Sequence, residues 1–140
     1  MARIADLLAW HGQLATVSDS ARLDAELILG EVLGGGRSHL YTWPDQVLDA
    51  DQIARFAALF TRRVQGDPIA HLLGRKEFWS LPLRVNASTL IPRPETELLI
   101  EVALRTLTAP VARVLDLGTG TGAIALSLAS ARPHWQILAV

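Results

Sequence analysis

The chain is 140 residues long, carries a formal net charge of −1 and contains no cysteine, so it holds one ordinary domain or two small ones, without disulfides or thiolate metal sites. Half of its residues are hydrophobic, which is enough to bury a core and too many for extended disorder. No basic run is present to follow a phosphate backbone, which argues against direct nucleic-acid binding. No apolar run is long enough for a membrane span, and Met1-Ala-Arg-Ile-Ala-Asp6 lacks a signal-peptide core, so a soluble cytoplasmic protein is expected.

In chain order, Ile4, Leu7, Leu8 and His11 fall at helical spacing. Ser18-Asp19-Ser20 offers N-cap candidates for a second helix, with Leu23, Leu27, Ile28 and Val32 as its apolar stripe and Gly34-Gly35-Gly36 as its stop. Arg37 to Trp43 is ambiguous and reads as a short helix closed by Pro44. Asp49 and Gln52 have the spacing of a capping box. The stripe Ile53, Phe56, Ala57, Phe60, Val64 follows, and Gly66 stands at the C′ position. Asp67-Pro68 then starts one more helical turn. Residues 1–73 are therefore expected to be a small all-α bundle, with six Lys/Arg against nine Asp/Glu.

The texture changes at Gly74. Lys76 to Val85 reads as a β-hairpin turning near Ser80-Leu81-Pro82. In Thr89-Leu-Ile-Pro-Arg-Pro-Glu-Thr-Glu97, two prolines hold the chain extended and Pro94 can open a helix. Glu95 and Glu97 suit the positive first turn of that helix, which continues through Leu98, Leu99, Val102 and Leu107. Val114 to Leu117 reads as a buried parallel strand, Gly122 to Ala131 as a helix, and Gln136 to Val140 as a second parallel strand. His11, His39, His71 and His134 are scattered without ligand spacing, so no metal site is expected.

The chemistry concentrates in Asp116-Leu-Gly-Thr-Gly-Thr-Gly122. Alternating glycines between a strand and a helix let a ligand approach the backbone, next to the free N–H groups of the helix start. Read loosely, Gly118-x-Gly120-x-x-Ala123 also satisfies the dinucleotide fingerprint, which keeps a nicotinamide or flavin enzyme open. Asp116 separates the two. A carboxylate two residues before the first glycine repels a pyrophosphate and attracts a cation such as the α-ammonium of S-adenosyl-L-methionine. The pattern looks like motif I of the S-adenosylmethionine-dependent methyltransferases.

A more specific resemblance covers most of the chain. Arg63-Val-Gln-Gly-Asp-Pro-Ile-Ala-His-Leu-Leu-Gly74, Glu77-Phe-Trp-Ser-Leu-Pro-Leu83, Thr89 to Glu97 and Leu115 to Ala125 together resemble the HemK-type release-factor glutamine methyltransferases. The resemblance implies an α/β methyltransferase (Rossmann-like) domain truncated after its second strand, preceded by a small helical bundle and a β-hairpin linker. The implied boundaries are residues 1–73 for a helical substrate-recognition domain, 74–88 for the hairpin linker and 89–140 for the start of the methyltransferase domain.

The implied activity is transfer of a methyl group from S-adenosyl-L-methionine to the side-chain nitrogen of the glutamine in the Gly-Gly-Gln motif of class 1 peptide-chain release factors. Carried over by position, Gly118, Thr119, Gly120, Thr121 and Gly122 wrap the cofactor, Asp116 lies near its ammonium and Thr96 beside it. Leu90 falls at the glutamine pocket. The family's Asn-Pro-Pro-Tyr motif does not occur here, so the sequence corresponds to the first half of such an enzyme. On its own it is expected to be inactive and to self-associate through an open sheet edge. An adenine-N6 nucleic-acid methyltransferase and a non-catalytic protein-binding fragment are the alternatives. The acidic first half disfavours the adenine reading, and the resemblance names the glutamine one.

Overall fold

The computed structural model describes residues 1–140, and they divide into two units, Met1–Leu73 and Gly74–Val140. No helix is long and apolar enough to cross a membrane.

The first unit is helical. Helix α1 (Ile4–Leu8) runs into a 3₁₀ stretch (Ala9–Leu14), followed by α2 (Ala21–Leu33), α3 (Gly36–Thr42), α4 (Ala50–Val64) and α5 (Ile69–Leu73). Two short strands not read from the sequence, β1 (Ala2–Arg3) and β2 (Val47–Leu48), pair antiparallel. The start of α4 follows its capping box: Gln52 N–H donates to Asp49 Oδ1 at 2.8 Å, and Asp49 N–H donates to Gln52 Oε1 at 3.1 Å. At its other end the chain turns out of the helix through Gly66, at φ +102°. Phe56 and Phe60 are buried, with ring centroids 5.3 Å apart, and each lies 5.8 Å from the Trp10 ring.

Helix α2 buries Ile28 and Val32 of the expected stripe, and more of its surface besides. Ala25, Ile28, Leu29 and Val32 are in the core, whereas Leu23 is exposed. Two carboxylates, Asp24 and Glu26, are buried on this helix as well. Arg63 Nε donates to Asp24 Oδ2 at 2.8 Å. Glu26 accepts from Arg37 Nε at 2.8 Å, Arg22 Nε at 3.1 Å and the Tyr41 hydroxyl at 2.6 Å. Charged groups are tolerated inside when paired and hydrogen-bonded, and positions two apart on a helix point to opposite sides, so α2 buries one acid on each of two sides.

The second unit opens with a hairpin of β3 (Arg75–Phe78) and β4 (Leu81–Arg84). Its two-residue turn is Trp79-Ser80, at φ +51° and +60°, one residue before the stretch expected from the sequence. Pro82 therefore lies within β4, opposite Glu77. In a two-residue hairpin the closing pair is hydrogen-bonded and the next is not, so Pro82 forfeits no ladder bond. After a 3₁₀ turn (Pro94–Thr96) come α6 (Glu97–Thr106), β5 (Arg113–Asp116), α7 (Ala123–Ala131) and β6 (Gln136–Ala139). Strands β5 and β6 are parallel, with Val114 opposite Ile137 and Asp116 opposite Ala139.

The core of this unit joins Phe78 and Leu83 of the hairpin, Ile100 of α6, Ala123 and Leu128 of α7, and Trp135. The Trp135 indole N–H donates to the carbonyl of Ala109 at 3.1 Å, which ties the approach to β5 to the approach to β6. The Val114–Leu117 run is buried on one face only. Val114 packs on the core, while Leu115 and Leu117 are exposed, because α6 and α7 supply one covering layer and the opposite face of the two-stranded sheet has none. Leu98, Leu99, Val102 and Leu107 of the α6 region are exposed too.

Candidate functional site

Asp116 ends β5, and the chain then turns through Leu117–Gly122 into α7. Gly118, Gly120 and Gly122 have φ of +73°, +57° and +78°. Nothing lies within 4 Å of where a Cβ would stand at Gly118 or Gly120. Glycine is thus required there by backbone conformation, not by crowding within the chain, and the space beside these two positions is open.

The loop is pinned to the sheet on its strand side. The carbonyl of Val140 accepts from Gly118 N–H at 2.7 Å and from Thr119 N–H at 2.9 Å, and Val140 N–H donates to the Asp116 carbonyl at 3.0 Å. The turn closes with Gly122 N–H donating to the Thr119 carbonyl at 2.9 Å, and Leu126 N–H to the Gly122 carbonyl at 2.8 Å begins α7. The N–H groups of Gly120 and Thr121 donate to no backbone carbonyl. The Thr119 hydroxyl donates to Asp116 Oδ2 at 2.8 Å. One oxygen of the half-buried Asp116 carboxylate is thereby oriented by the chain, and Oδ1 is left to accept from another donor.

Asp116 and Gly118–Gly122 are therefore gathered in one turn. Thr96 and Leu90 stand on a different stretch. Thr96 is half-buried at the N-cap of α6, with its N–H donating to the Arg93 carbonyl at 3.0 Å, and no hydrogen bond joins it to the loop. Leu90 is 89% exposed. A concavity of about 490 Å³ lies over Arg113–Leu115 and Gln136–Leu138, on the uncovered sheet face and away from the glycines. It reflects a missing packing layer more than a shaped ligand site, which would place polar groups convergently. No three His, Asp or Glu side chains converge in a way that could hold a metal ion.

Two features of this region escaped the sequence reading. Glu97 reads as a first-turn acid that complements the helix dipole, yet its Oε1 accepts from Trp79 N–H at 2.9 Å. The double use of the Val140 carbonyl had no sequence signal, since it joins residues about twenty positions apart.

Fold and loop define the class: a helical unit, a hairpin, and a strand–glycine-turn–helix–strand unit with its two strands parallel. Comparison with known proteins narrows this. Residues 6–74 match the family described as the PrmC N-terminal domain. The chain is 56% identical over 138 residues to the release factor glutamine methyltransferase of Shewanella oneidensis, covering 98% of this chain and 48% of that protein. It is 54% identical over 123 residues to the protein of that name from Escherichia coli K12, with 88% and 44% covered. The Pseudomonas aeruginosa counterpart is 56% identical over 123 residues, with 88% and 45% covered. The chain's similarity to release factor glutamine methyltransferases runs along most of its length, and it spans about half the length of the curated relatives it matches.

Proposed function

We propose that this chain carries the cofactor loop and the substrate-recognition half of a protein-glutamine N5-methyltransferase that uses S-adenosyl-L-methionine and acts on the Gly-Gly-Gln motif of class 1 peptide-chain release factors. On this reading residues 1–73 recognise the release factor, 74–88 are the hairpin linker, and 89–140 open a Rossmann-like methyltransferase domain. Similarity to these enzymes supports the substrate class. The observation that carries the cofactor assignment is the Asp116–Thr119 pair at the mouth of a glycine turn.

Bound S-adenosyl-L-methionine supplies an electrophilic methyl group on a sulfonium. This chain's own residues bind and orient. Asp116 Oδ1 attracts the ammonium while Thr119 keeps the carboxylate from rotating. Gly118 and Gly120 let the cofactor lie against the backbone, and the free N–H groups of Gly120 and Thr121 face its polar groups. Thr96 borders the cofactor from the start of α6, and Leu90 contributes an apolar wall to the glutamine pocket. An amide nitrogen is a weak nucleophile because its lone pair is delocalised, so the reaction depends on orientation and on hydrogen-bond acceptors for the amide N–H groups. The Asn-Pro-Pro-Tyr motif that performs this in the family does not occur in these 140 residues, and no residue here is assigned that step.

Calorimetric titration tests the assignment. S-adenosyl-L-methionine should bind more tightly than NAD, and Asp116→Ala should weaken it about tenfold or more, since each tenfold is about 1.4 kcal/mol and a charge-assisted hydrogen bond supplies about that much. Tighter binding of NAD than of S-adenosyl-L-methionine would overturn it.

A further inference from the structure

The hairpin turn is built from unlikely residues. A two-residue turn with both φ angles positive favours Asn-Gly or Gly-Gly, and this one uses Trp79 and Ser80, at +51° and +60°. Non-glycine residues persist in that region only where their surroundings over-determine them. Two contacts do so here. The Trp79 ring packs on the core beside Phe78 and Leu83, and Trp79 N–H donates to Glu97 Oε1 at 2.9 Å. The constraint acts in both directions. Glu97 is half-buried in the first turn of α6, one residue after Thr96. One turn further along, the fully buried Ile100 shares a core cluster with Ala123, the first residue of α7 after the glycine loop. The start of α6 is thus fixed on one side by the hairpin and on the other by the helix that the loop opens.

We infer that Glu97 is a positioning residue for the cofactor site: by holding Trp79 N–H it sets the first turn of α6, and with it Thr96, relative to the glycine loop. The inference rests on the methyltransferase reading and adds to it a residue that touches no cofactor atom. A residue acting only through the helix dipole would need a charge but no particular reach. A positioning residue needs an acceptor at the right reach, with or without charge. Three substitutions separate these. Glu97→Gln keeps reach and acceptor and loses the charge, Glu97→Asp keeps the charge and loses reach, and Glu97→Ala loses both.

The test combines hydrogen exchange at the Trp79 amide, the thermal midpoint, and calorimetric titration of S-adenosyl-L-methionine into the whole chain. Expected are near-wild-type behaviour for Glu97→Gln and, for Glu97→Asp and Glu97→Ala, faster Trp79 exchange with cofactor affinity lowered about tenfold. If Glu97→Ala fails to fold, the Gln and Asp variants carry the comparison. Wild-type affinity in Glu97→Asp overturns the inference and leaves the cofactor reading standing. Loss of affinity in Glu97→Gln equal to that in Glu97→Asp overturns it in favour of charge. Absence of S-adenosyl-L-methionine binding by the wild-type chain removes the cofactor reading, and the inference with it.

Discussion

Replacing Arg63 tests what holds the helical unit together. Its guanidinium is 12% exposed and faces Asp24, which is 7% exposed. Besides the 2.8 Å bond to Asp24 Oδ2, it donates to the Val17 carbonyl at 3.1 Å and the Asp67 carbonyl at 3.2 Å. One side chain therefore clips α2, the segment before it and the turn after α4. In Arg63→Met the Asp24 carboxylate stays buried with only the Ser20 hydroxyl, at 3.3 Å, as partner. Breaking a buried pair from one side costs about 3–5 kcal/mol, whereas replacing both members by apolar groups is often close to neutral. Arg63→Met should therefore destabilise by about 3 kcal/mol or more, and the double variant Asp24→Leu/Arg63→Met should recover most of that. For a unit of this size each kcal/mol moves the midpoint by about 4–8 °C, which places the single variant at least about 12 °C below wild type. Urea and thermal unfolding followed by helical circular dichroism measure both. A cost below about 1 kcal/mol for Arg63→Met would refute the claim that a buried ion pair clips these elements.

Glu26 makes the unit sensitive to acid. Burial alone pushes its carboxyl up, but the donors Tyr41, Arg37 and Arg22 together hold it below the ordinary glutamate range. A depressed carboxylate adds stability that is fully present above the unfolded-state value and is lost as pH falls through the folded one. Acid unfolding from pH 5 downward should therefore flatten in Glu26→Gln, and an unchanged pH profile would contradict this. At the hairpin, Ser80→Gly should stabilise the second unit by about 0.5–1 kcal/mol, because glycine adopts positive φ without strain. A drop in its melting midpoint would show that the Ser80 side chain contributes something its exposed position does not reveal.

Local chemistry was the most legible part of the sequence. The capping box at Asp49 and Gln52, the stop at Gly66 and the strand–loop–helix around Asp116 involve residues a few positions apart, where sequence spacing and spatial distance coincide. Long-range partners were not legible. Asp24 and Arg63 are 39 positions apart, and only the packed helices reveal that α2 buries two carboxylates, and Ala25 and Leu29 beside the expected Ile28 and Val32, while Leu23 stays exposed. The hairpin turn was placed one residue late because Pro82 is a strong turn signal, whereas Trp79 carries none. The positive φ of Trp79 and Ser80 is imposed by packing and by Glu97, and it cannot be read from their own preferences. At the site, the residues of the glycine turn were visible as a group. Arg63, conspicuous as part of the resemblance, turned out to be a structural clip in the helical unit.

The doubly occupied Val140 carbonyl bears on how the loop would meet a ligand. Gly118 and Thr119 are already immobilised by the neighbouring strand, so their backbone has little freedom left to lose when something binds. Backbone hydrogen bonding is uneven along the seven residues 116–122, dense from Asp116 to Thr119 and absent at the N–H groups of Gly120 and Thr121. Such an arrangement favours fast capture on a preformed floor, with late adjustment confined to two peptide groups. It also means that the geometry of the second parallel strand, which touches no ligand in this reading, governs how rigid that floor is. Substitutions in Gln136–Ala139 that loosen the strand pairing would then show up as a slower association rate before they appear as any loss of a direct contact.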